Sequence, residues 1–233
     1  MHRRGFELLT GLTFVTFMYL IAFIILKAPP AQLQAGGVAQ KILYFHAPAG
    51  YAMYLCGVVC LVASSLYLAG PSDARDGVAK ASAECALMFG AMMLVSGPLW
   101  AKKAWGVYWT WDPRLTTTLL STLIYMSVVV LRSFGGNGDA ERRFAAALGI
   151  LGTVNLPIIH YSVRKWGGNH PTVITKGGGG LSHPDMRHAL LMGFVAMTLF
   201  AILLLWSRSR VAIAASKLAR CEEEAAAQGL LDT

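Results

Sequence analysis

Residues 8–26 read LLTGLTFVTFMYLIAFIIL, a run without a charged side chain. A helix of ~20 apolar residues spans the hydrocarbon core of a bilayer. The run follows the basic start MHRRGFE and is longer than the ~7–15 apolar residues of a cleavable signal peptide. We therefore expect an uncleaved membrane-spanning helix at about residues 8–27.

The rest of the chain has a composition that is typical of proteins in lipid. Of its 233 residues, 55% are hydrophobic and 14% are charged, and the mean hydropathy is +0.53. Soluble domains carry about 25% charged residues. The apolar runs predict six spans, at about 8–27, 48–69, 82–100, 115–131, 144–163 and 189–206. Because the links between them are short, we predict an all-α integral membrane protein with a single six-helix domain (1–206) and a cytoplasmic tail (207–233).

The cysteines and the run of glycines predict no catalytic or metal-binding site. Four cysteines (Cys56, Cys60, Cys85 and Cys221) show neither a metal-binding nor a redox spacing, and there is no CxxCH haem-attachment motif. Cys56 and Cys60 lie on one face of a predicted helix, where small residues favour close helix packing. The glycines at 177–180 predict a flexible loop tip.

The distribution of the basic residues predicts the orientation of the chain in the membrane only weakly. Six spans put both termini on one side of the membrane. Placing the termini inside assigns eleven of the twenty basic residues to the cytoplasm: Arg3, Arg4, Arg75, Lys80, Arg132, Arg142, Arg143, Arg208, Arg210, Lys217 and Arg220. The positive-inside rule predicts a larger bias. The basic residues left in the outer loops are either solvated loop residues or partners for an anionic ligand on that face.

Two histidines and a tryptophan cluster fall on one side of the membrane. His46 precedes the second predicted span, and His170 lies between the fifth and the sixth. The cluster WGVYWTWDPR (105–114) forms a predicted outer loop between the third and the fourth spans, within a tryptophan-rich segment at 100–114. Because two crossings separate each of these features from the next, all three face the same compartment.

This combination is typical of a haem site. Two neutral imidazoles can ligate a metal, and histidine pairs serve as axial ligands of haem iron. The flat tryptophan faces suit an apolar macrocycle, and Arg114 suits a propionate carboxylate. We therefore predict that His46 and His170 bind haem b non-covalently as axial ligands. An interfacial aromatic belt is the alternative explanation for the tryptophans.

The geometry of the cluster stays open at this point. In a helix, Trp105, Tyr108, Trp109 and Asp112 would share one face. In an extended segment, Trp105, Trp109 and Trp111 would share one instead. Either arrangement offers a stacking surface for a flat ligand.

Two further residues keep alternative interpretations. Asp112 stands before Pro113, as an N-cap stands at the start of a helix, but it also suits a place beside the haem. His160 follows Pro157 in the fifth span, where a hydrogen bond within the helix bundle is preferred to a functional role.

The residues around these positions resemble a known family. WGVYWTWD (105–112) matches the WGxxWxWD signature of the tryptophan-rich (WWD) haem-handling membrane proteins of c-type cytochrome maturation. The length, the six spans and the segments YFHAPAGYAMY (44–54) and NLPIIHYSVRKW (155–166) are similar to its short branch, the cytochrome c maturation protein C (CcmC) family of haem exporters. The resemblance runs from about residue 40 to the last helix.

The resemblance implies a function and a set of partners. The chain would bind haem at the periplasmic face of the bacterial inner membrane and deliver it to the haem chaperone CcmE. It would act as a carrier and not as an enzyme, in a complex with the ATPase CcmA, its membrane partner CcmB and the small protein CcmD, without a nucleic-acid partner. By resemblance the haem-binding residues are His46, His170, Trp105, Trp109, Trp111, Asp112 and Arg114.

Two other classes of protein compete with this expectation. A cytochrome b-type anchor of a quinone-linked oxidoreductase typically holds haem between histidines inside helices, whereas the predicted pair lies in surface loops. A small-solute permease needs polar residues or broken helices in several spans. The predicted spans hold few such residues, which disfavours a permease.

Overall fold

The computed structural model of the protein describes residues 3–32, 36–134, 138–168, 170 and 180–230. The described part consists of helices and their connections. Its α-helices are α1 (Arg3–Leu26), α2 (Leu43–Ala69), α3 (Asp73–Trp105), α4 (Pro113–Phe134), α5 (Asp139–Val154), α6 (Leu156–Trp166) and α7 (Pro184–Ala227), and a 3-10 helix (Gly37–Ile42) leads into α2.

Six helical segments in the described part are long and apolar enough to cross a membrane. They are Arg3–Leu26, Gly37–Ala69, Asp73–Trp105, Pro113–Phe134, Asp139–Ser162 and Pro184–Ala227. Large apolar side chains such as Phe14, Val58 and Val95 lie exposed along them, as expected where lipid replaces water as the solvent. The predicted all-α fold with six membrane-spanning helices is confirmed.

The fifth span is interrupted at Asn155, between α5 and α6. Pro157 lacks a backbone N–H and cannot continue the hydrogen-bond ladder of an α-helix. Asn155 stabilises the break, since its Nδ2 donates to the Thr117 carbonyl at 2.9 Å and to Ser121 Oγ at 2.7 Å. The break leaves α6 packed against α4.

The second helix begins earlier than predicted. The 3-10 helix runs into α2 without an intervening loop, so α2 starts at Leu43. His46 therefore lies in the first turn of α2, and the prediction that it precedes the helix is wrong.

The last span and the predicted tail form one helix. α7 continues past residue 206 to Ala227, because residues 207–227 hold strong helix formers and neither glycine nor proline. Arg208 on this extension binds Glu84 of α3 at 2.7 Å. The tail thus packs along the start of α3.

Small residues bring the helices close together. α3 contacts α2, α4, α5 and α7, whereas α1 packs against α7. Cys56 and Cys60 are buried and free, and a Cβ at Gly149 of α5 would meet Cys60 Sγ at 2.8 Å. The cysteines therefore serve helix packing, as predicted.

One end of the bundle carries a cluster of ion pairs. Arg132 Nη2 lies 2.7 Å from Asp76 Oδ2, and the two side chains are 2% and 6% exposed. Arg142 lies 3.2 Å from Asp73 and 3.6 Å from Asp76, and Arg220 pairs with Asp73. This ion-pair cluster links α3, α4, α5 and α7.

Candidate functional site

A cavity opens at the other end of the bundle, where the start of α2, the end of α3 and the start of α4 meet. It contains about 930 Å³ of empty space, with the open solvent at its mouth included. Its polar lining residues are Gln40, His46, Arg114, Thr118 and His170. Its apolar wall includes Ile42, Leu43, Met93, Leu94, Trp100, Trp105, Trp109 and Leu115.

His46 is held in one tautomer by α3. Ser96 Oγ donates its proton to the Met92 carbonyl at 2.6 Å, so it can only accept from His46 Nδ1, which lies 2.8 Å away. Neutral His46 therefore carries its proton on Nδ1 and leaves the lone pair of Nε2 free for a ligand. The ring packs against Gly97, where a Cβ would meet His46 Cε1 at 3.2 Å.

His170 is held in the opposite tautomer. Arg114 Nη1 lies 3.2 Å from His170 Nδ1, and because a guanidinium can only donate, Nδ1 must accept. Neutral His170 then carries its proton on Nε2. Arg114 Nη2 also donates to the His160 carbonyl at 3.2 Å, so one side chain joins α4, α6 and the segment that holds His170.

The two predicted axial histidines meet at this cavity. Their ring centroids lie 6.4 Å apart, and their planes are inclined by 27°. A metal ion bonded to two imidazole nitrogens at ~2 Å each separates the ring centres by roughly 6 Å. The separation of His46 and His170 is thus of the size that two ligands of one metal require.

The tryptophans of the signature do not act as one surface. Trp105 is the last residue of α3, and Gly106 ends the helix with φ 78°. Trp109 and Trp111 lie in the non-helical link to α4. Trp105 and Trp109 line the cavity, whereas Trp111 does not line it and is 75% exposed. Neither a continuous helix nor a shared extended face describes this segment.

Trp100 completes the aromatic wall. Its ring lies 5.2 Å from that of Trp105, edge to face, and it lines the cavity. Trp100 belongs to the predicted tryptophan-rich segment, but no role is predicted for it. Its position five residues before the signature is a signal that sequence reasoning could have used, since residues near a helix end often line the same site.

Asp112 is an N-cap. Its Oδ1 accepts from the backbone N–H of Arg114 at 2.8 Å, and the residue is 5% exposed. The carboxylate also packs against Gly168, because a Cβ there would overlap Oδ2. Asp112 does not line the cavity. It instead connects the start of α4 to the segment that leads to His170.

The cavity wall contains unsatisfied hydrogen-bond donors. Gln40 Nε2, Trp109 Nε1 and Arg114 Nε are buried and find no acceptor among the described residues. Buried polar groups in native proteins are almost always paired. Arg132 Nε and Nη1 in the ion-pair cluster also find no acceptor in the described part of the chain, so it is the adjoining cavity that gives the three donors of the wall a place for a ligand with acceptor atoms.

The other histidines that the structure describes lie away from the cavity lining. His160 is exposed on α6, and its ring contacts Tyr161. His183 caps α7 by accepting from the Asp185 N–H at 3.2 Å, and His188 lies 2.9 Å from the Tyr19 hydroxyl. The glycines at 177–179 lie outside the described residues.

Comparison with known proteins identifies the family of this chain. The family model CcmC, heme exporter protein C, matches residues 1–224. Heme exporter protein C of Bradyrhizobium diazoefficiens is 34% identical over 170 residues, 72% of this chain and 64% of that protein. Heme exporter protein C of Escherichia coli strain K12 is 35% identical over 143 residues (60% and 57%), and that of Haemophilus influenzae is 31% identical over 179 residues (76% and 70%).

The matched region spans less than two thirds of the length of the first two relatives, but the family model covers nearly all of this chain. The chain belongs to the heme exporter protein C (CcmC) family.

Proposed function

We propose that this chain binds haem in the cavity between α2, α3 and α4 and delivers it to the haem chaperone CcmE in c-type cytochrome biogenesis. The observation that carries the proposal is the pair His46 and His170, 6.4 Å apart at a cavity with tryptophans in its wall. The names of its relatives, heme exporter protein C, support haem as the cargo.

The donor set fits haem. His46 offers a free Nε2 lone pair, as a metal ligand requires. Trp105 and Trp109 offer apolar aromatic surface to the macrocycle, and the unpaired N–H groups offer donors to its carboxylates. The lining contains no cysteine among the described residues, which supports non-covalent binding of haem b.

The opposite tautomers of the histidines support an order of binding. His46 can ligate iron as it stands. His170 can use Nε2 only after Arg114 releases Nδ1 and the proton moves to that atom. A haem carboxylate competes for the Arg114 guanidinium by a charge-assisted hydrogen bond. Iron therefore binds His46 first, and carboxylate capture by Arg114 frees His170 as the second ligand.

The same proposal covers the location and the partners. The family, the six spans and the histidines on one side support a multi-pass protein of the bacterial inner membrane with its cavity at the periplasmic face. The chain acts there as a haem carrier in a complex with the ATPase CcmA, CcmB and CcmD. The exposed Trp111, next to the cavity rim, is available to a chaperone that docks there.

One observation favours a second candidate, the cytochrome b-type anchor. His46 lies inside a helix, as the haem ligands of such anchors do. A haem that is retained without the chaperone, and that exchanges electrons with a quinone, would support this alternative.

Replacing the histidines tests the proposal. His46→Ala and His170→Ala each remove one axial donor, so the purified chain should retain less haem and the remaining haem should show a changed absorption spectrum. His46→Ala should have the larger effect, because His46 is the ligand that is ready in the unbound chain. His188→Ala is the matched control, since His188 contacts Tyr19 away from the cavity lining. Wild-type haem content and spectrum in both histidine variants would overturn the proposal.

A further inference from the structure

Gln40 lies in the cavity wall, and one end of its buried amide has no acceptor among the described residues. It lies on the 3-10 helix before α2, is 6% exposed and lines the cavity. The Tyr44 hydroxyl donates to its Oε1 at 3.4 Å, which leaves Nε2 as the end of the amide that is not bonded. Nε2 meets no acceptor in the described part of the chain.

Three charged side chains at this end of the bundle already have hydrogen-bond partners. Lys41 Nζ donates to the Ile24 carbonyl at 2.7 Å, and Lys102 Nζ donates to the Gly106 carbonyl at 2.9 Å. Arg114 uses both terminal nitrogens on His170 and on the His160 carbonyl. A carboxylate that enters the cavity can therefore accept a hydrogen bond from Gln40 Nε2, and this atom gives up no existing partner when it donates.

The unpaired groups of the wall share one chemistry. Gln40 Nε2, Trp109 Nε1 and Arg114 Nε are all N–H donors. They are suited to a ligand edge that carries acceptors, and an ionised carboxylate is the strongest such acceptor in a site shielded from water. Gln40 also stands roughly 10 Å along the helix axis from His46. In a haem the carboxylates lie at the edge of the macrocycle and the iron lies at its centre. The spacing therefore suits Gln40 as a partner of a carboxylate and His46 as a ligand of the iron.

We propose that Gln40 binds a carboxylate of the haem cargo through Nε2 and makes the site selective for porphyrins with ionised side chains. The inference rests on the proposed haem-binding function. It adds a specificity-determining residue that the tryptophan signature does not include.

The experiment compares two ligands on the full-length chain in detergent. One ligand is iron protoporphyrin IX, and the other is its dimethyl ester, in which both carboxylates are esterified. Affinities are measured for the wild type and for Gln40→Leu, which keeps the size of the side chain and removes its donors, and Gln40→Glu, which adds a negative charge. Gln228→Leu, on the exposed end of α7, is the matched control.

We expect the wild type to prefer the free acid to the ester. Gln40→Leu should weaken binding of the free acid roughly tenfold, the size of one hydrogen bond to a charged group, and should change binding of the ester little. Gln40→Glu should weaken binding of the free acid further, and esterification should restore much of that loss. Gln228→Leu should match the wild type.

Three outcomes would overturn the inference. These are equal losses for both ligands, no loss in Gln40→Leu, or a Gln40→Glu defect that esterification leaves unchanged. If Gln40→Leu does not fold, the difference between the affinities of Gln40→Glu for the free acid and for the ester still tests the inference. The absorption spectrum of wild-type haem reports separately on ligation by His46, so a failure of the proposed function is distinguishable from a failure of this inference.

Discussion

The two ends of the helix bundle place different groups beside their buried donors. In the ion-pair cluster, Asp73 and Asp76 meet Arg132, Arg142 and Arg220 from three other helices, although Arg132 Nε and Nη1 find no acceptor among the described residues. The buried donors at the cavity also lack acceptors there, and no carboxylate is among the described residues that line it. One end joins helices through paired charges, and the other has room for a ligand that brings acceptors.

The same comparison explains how the helices are placed. α2, α3 and α4 run between the two ends. Charges that meet within the protein fix the relative positions of α3, α4, α5 and α7, while the cavity end keeps its polar groups available. A substitution at the ion-pair cluster should therefore affect stability, and a substitution at the cavity should affect haem binding.

Removing an acidic partner from the ion-pair cluster should have the largest effect. Asp76→Ala leaves the guanidinium of Arg132 buried without its nearest counter-charge, so the free energy of unfolding should fall by about 3–5 kcal/mol. Thermal unfolding in detergent measures this loss. Glu7→Ala is the control, because its pair with Arg3 is exposed and should contribute nothing measurable. If Asp76→Ala lowers haem affinity and leaves the free energy of unfolding unchanged, it is wrong to assign stability to the ion-pair cluster and haem binding to the cavity.

At the cavity, Ser96→Ala should have the next largest effect. Without the hydroxyl, His46 loses the acceptor that fixes its tautomer, and haem affinity should fall roughly 10- to 100-fold with a changed spectrum. Ser127→Ala is a matched control, since Ser127 makes the same bond to the carbonyl four residues earlier but is exposed. An unchanged spectrum in Ser96→Ala would refute the tautomer argument.

Gly168→Ala should act through the segment that leads to His170. Gly168 has φ +147°, and a Cβ there would overlap the Asp112 carboxylate, so the backbone must shift at a cost of ~1–3 kcal/mol. We expect haem affinity to fall about tenfold and the free energy of unfolding to fall by no more than the same ~1–3 kcal/mol. Gly11→Ala, with open space around it, should be neutral. Wild-type haem affinity in Gly168→Ala would mean that this segment does not position His170.

The smallest expected effect is a difference in haem affinity between the variants of two neighbouring tryptophans. Trp109→Ala removes a ring from the cavity wall and should weaken haem binding roughly two- to tenfold. Trp111→Ala removes an exposed ring and should leave affinity unchanged, which a haem titration can check. Equal losses in both variants would support the single platform that the signature predicted.

Much of the site could be predicted because topology constrains it. Counting spans places His46, His170 and the tryptophan segment on one side without any packing information, and the structure brings both histidines to one cavity with Trp105 and Trp109. The Asp-Pro pair likewise indicated an N-cap at Asp112 as one of two interpretations, and the bond to the Arg114 N–H supports it, because capping depends on residues that are close in sequence.

The remaining features depend on contacts between distant segments. The bond from His46 to Ser96 joins α2 to α3, and the bond from Arg114 to His170 joins α4 to the segment before α7. Periodicity does not give the rotation of one helix against another. The exposure of Trp111 outside the cavity lining was not predicted either, because Trp109 and Trp111 lie in a non-helical link whose course periodicity does not give.

The sequence by itself determined that the chain spans a membrane with six helices, because apolar length and composition decide which segments lipid accepts. It also determined that the histidines and tryptophans share one compartment. Only the tertiary structure decided which of these residues form the cavity, which tautomer each histidine holds and that Gln40 belongs to the cavity wall. Those properties are set by distances between helices, and the order of residues along each helix does not specify them.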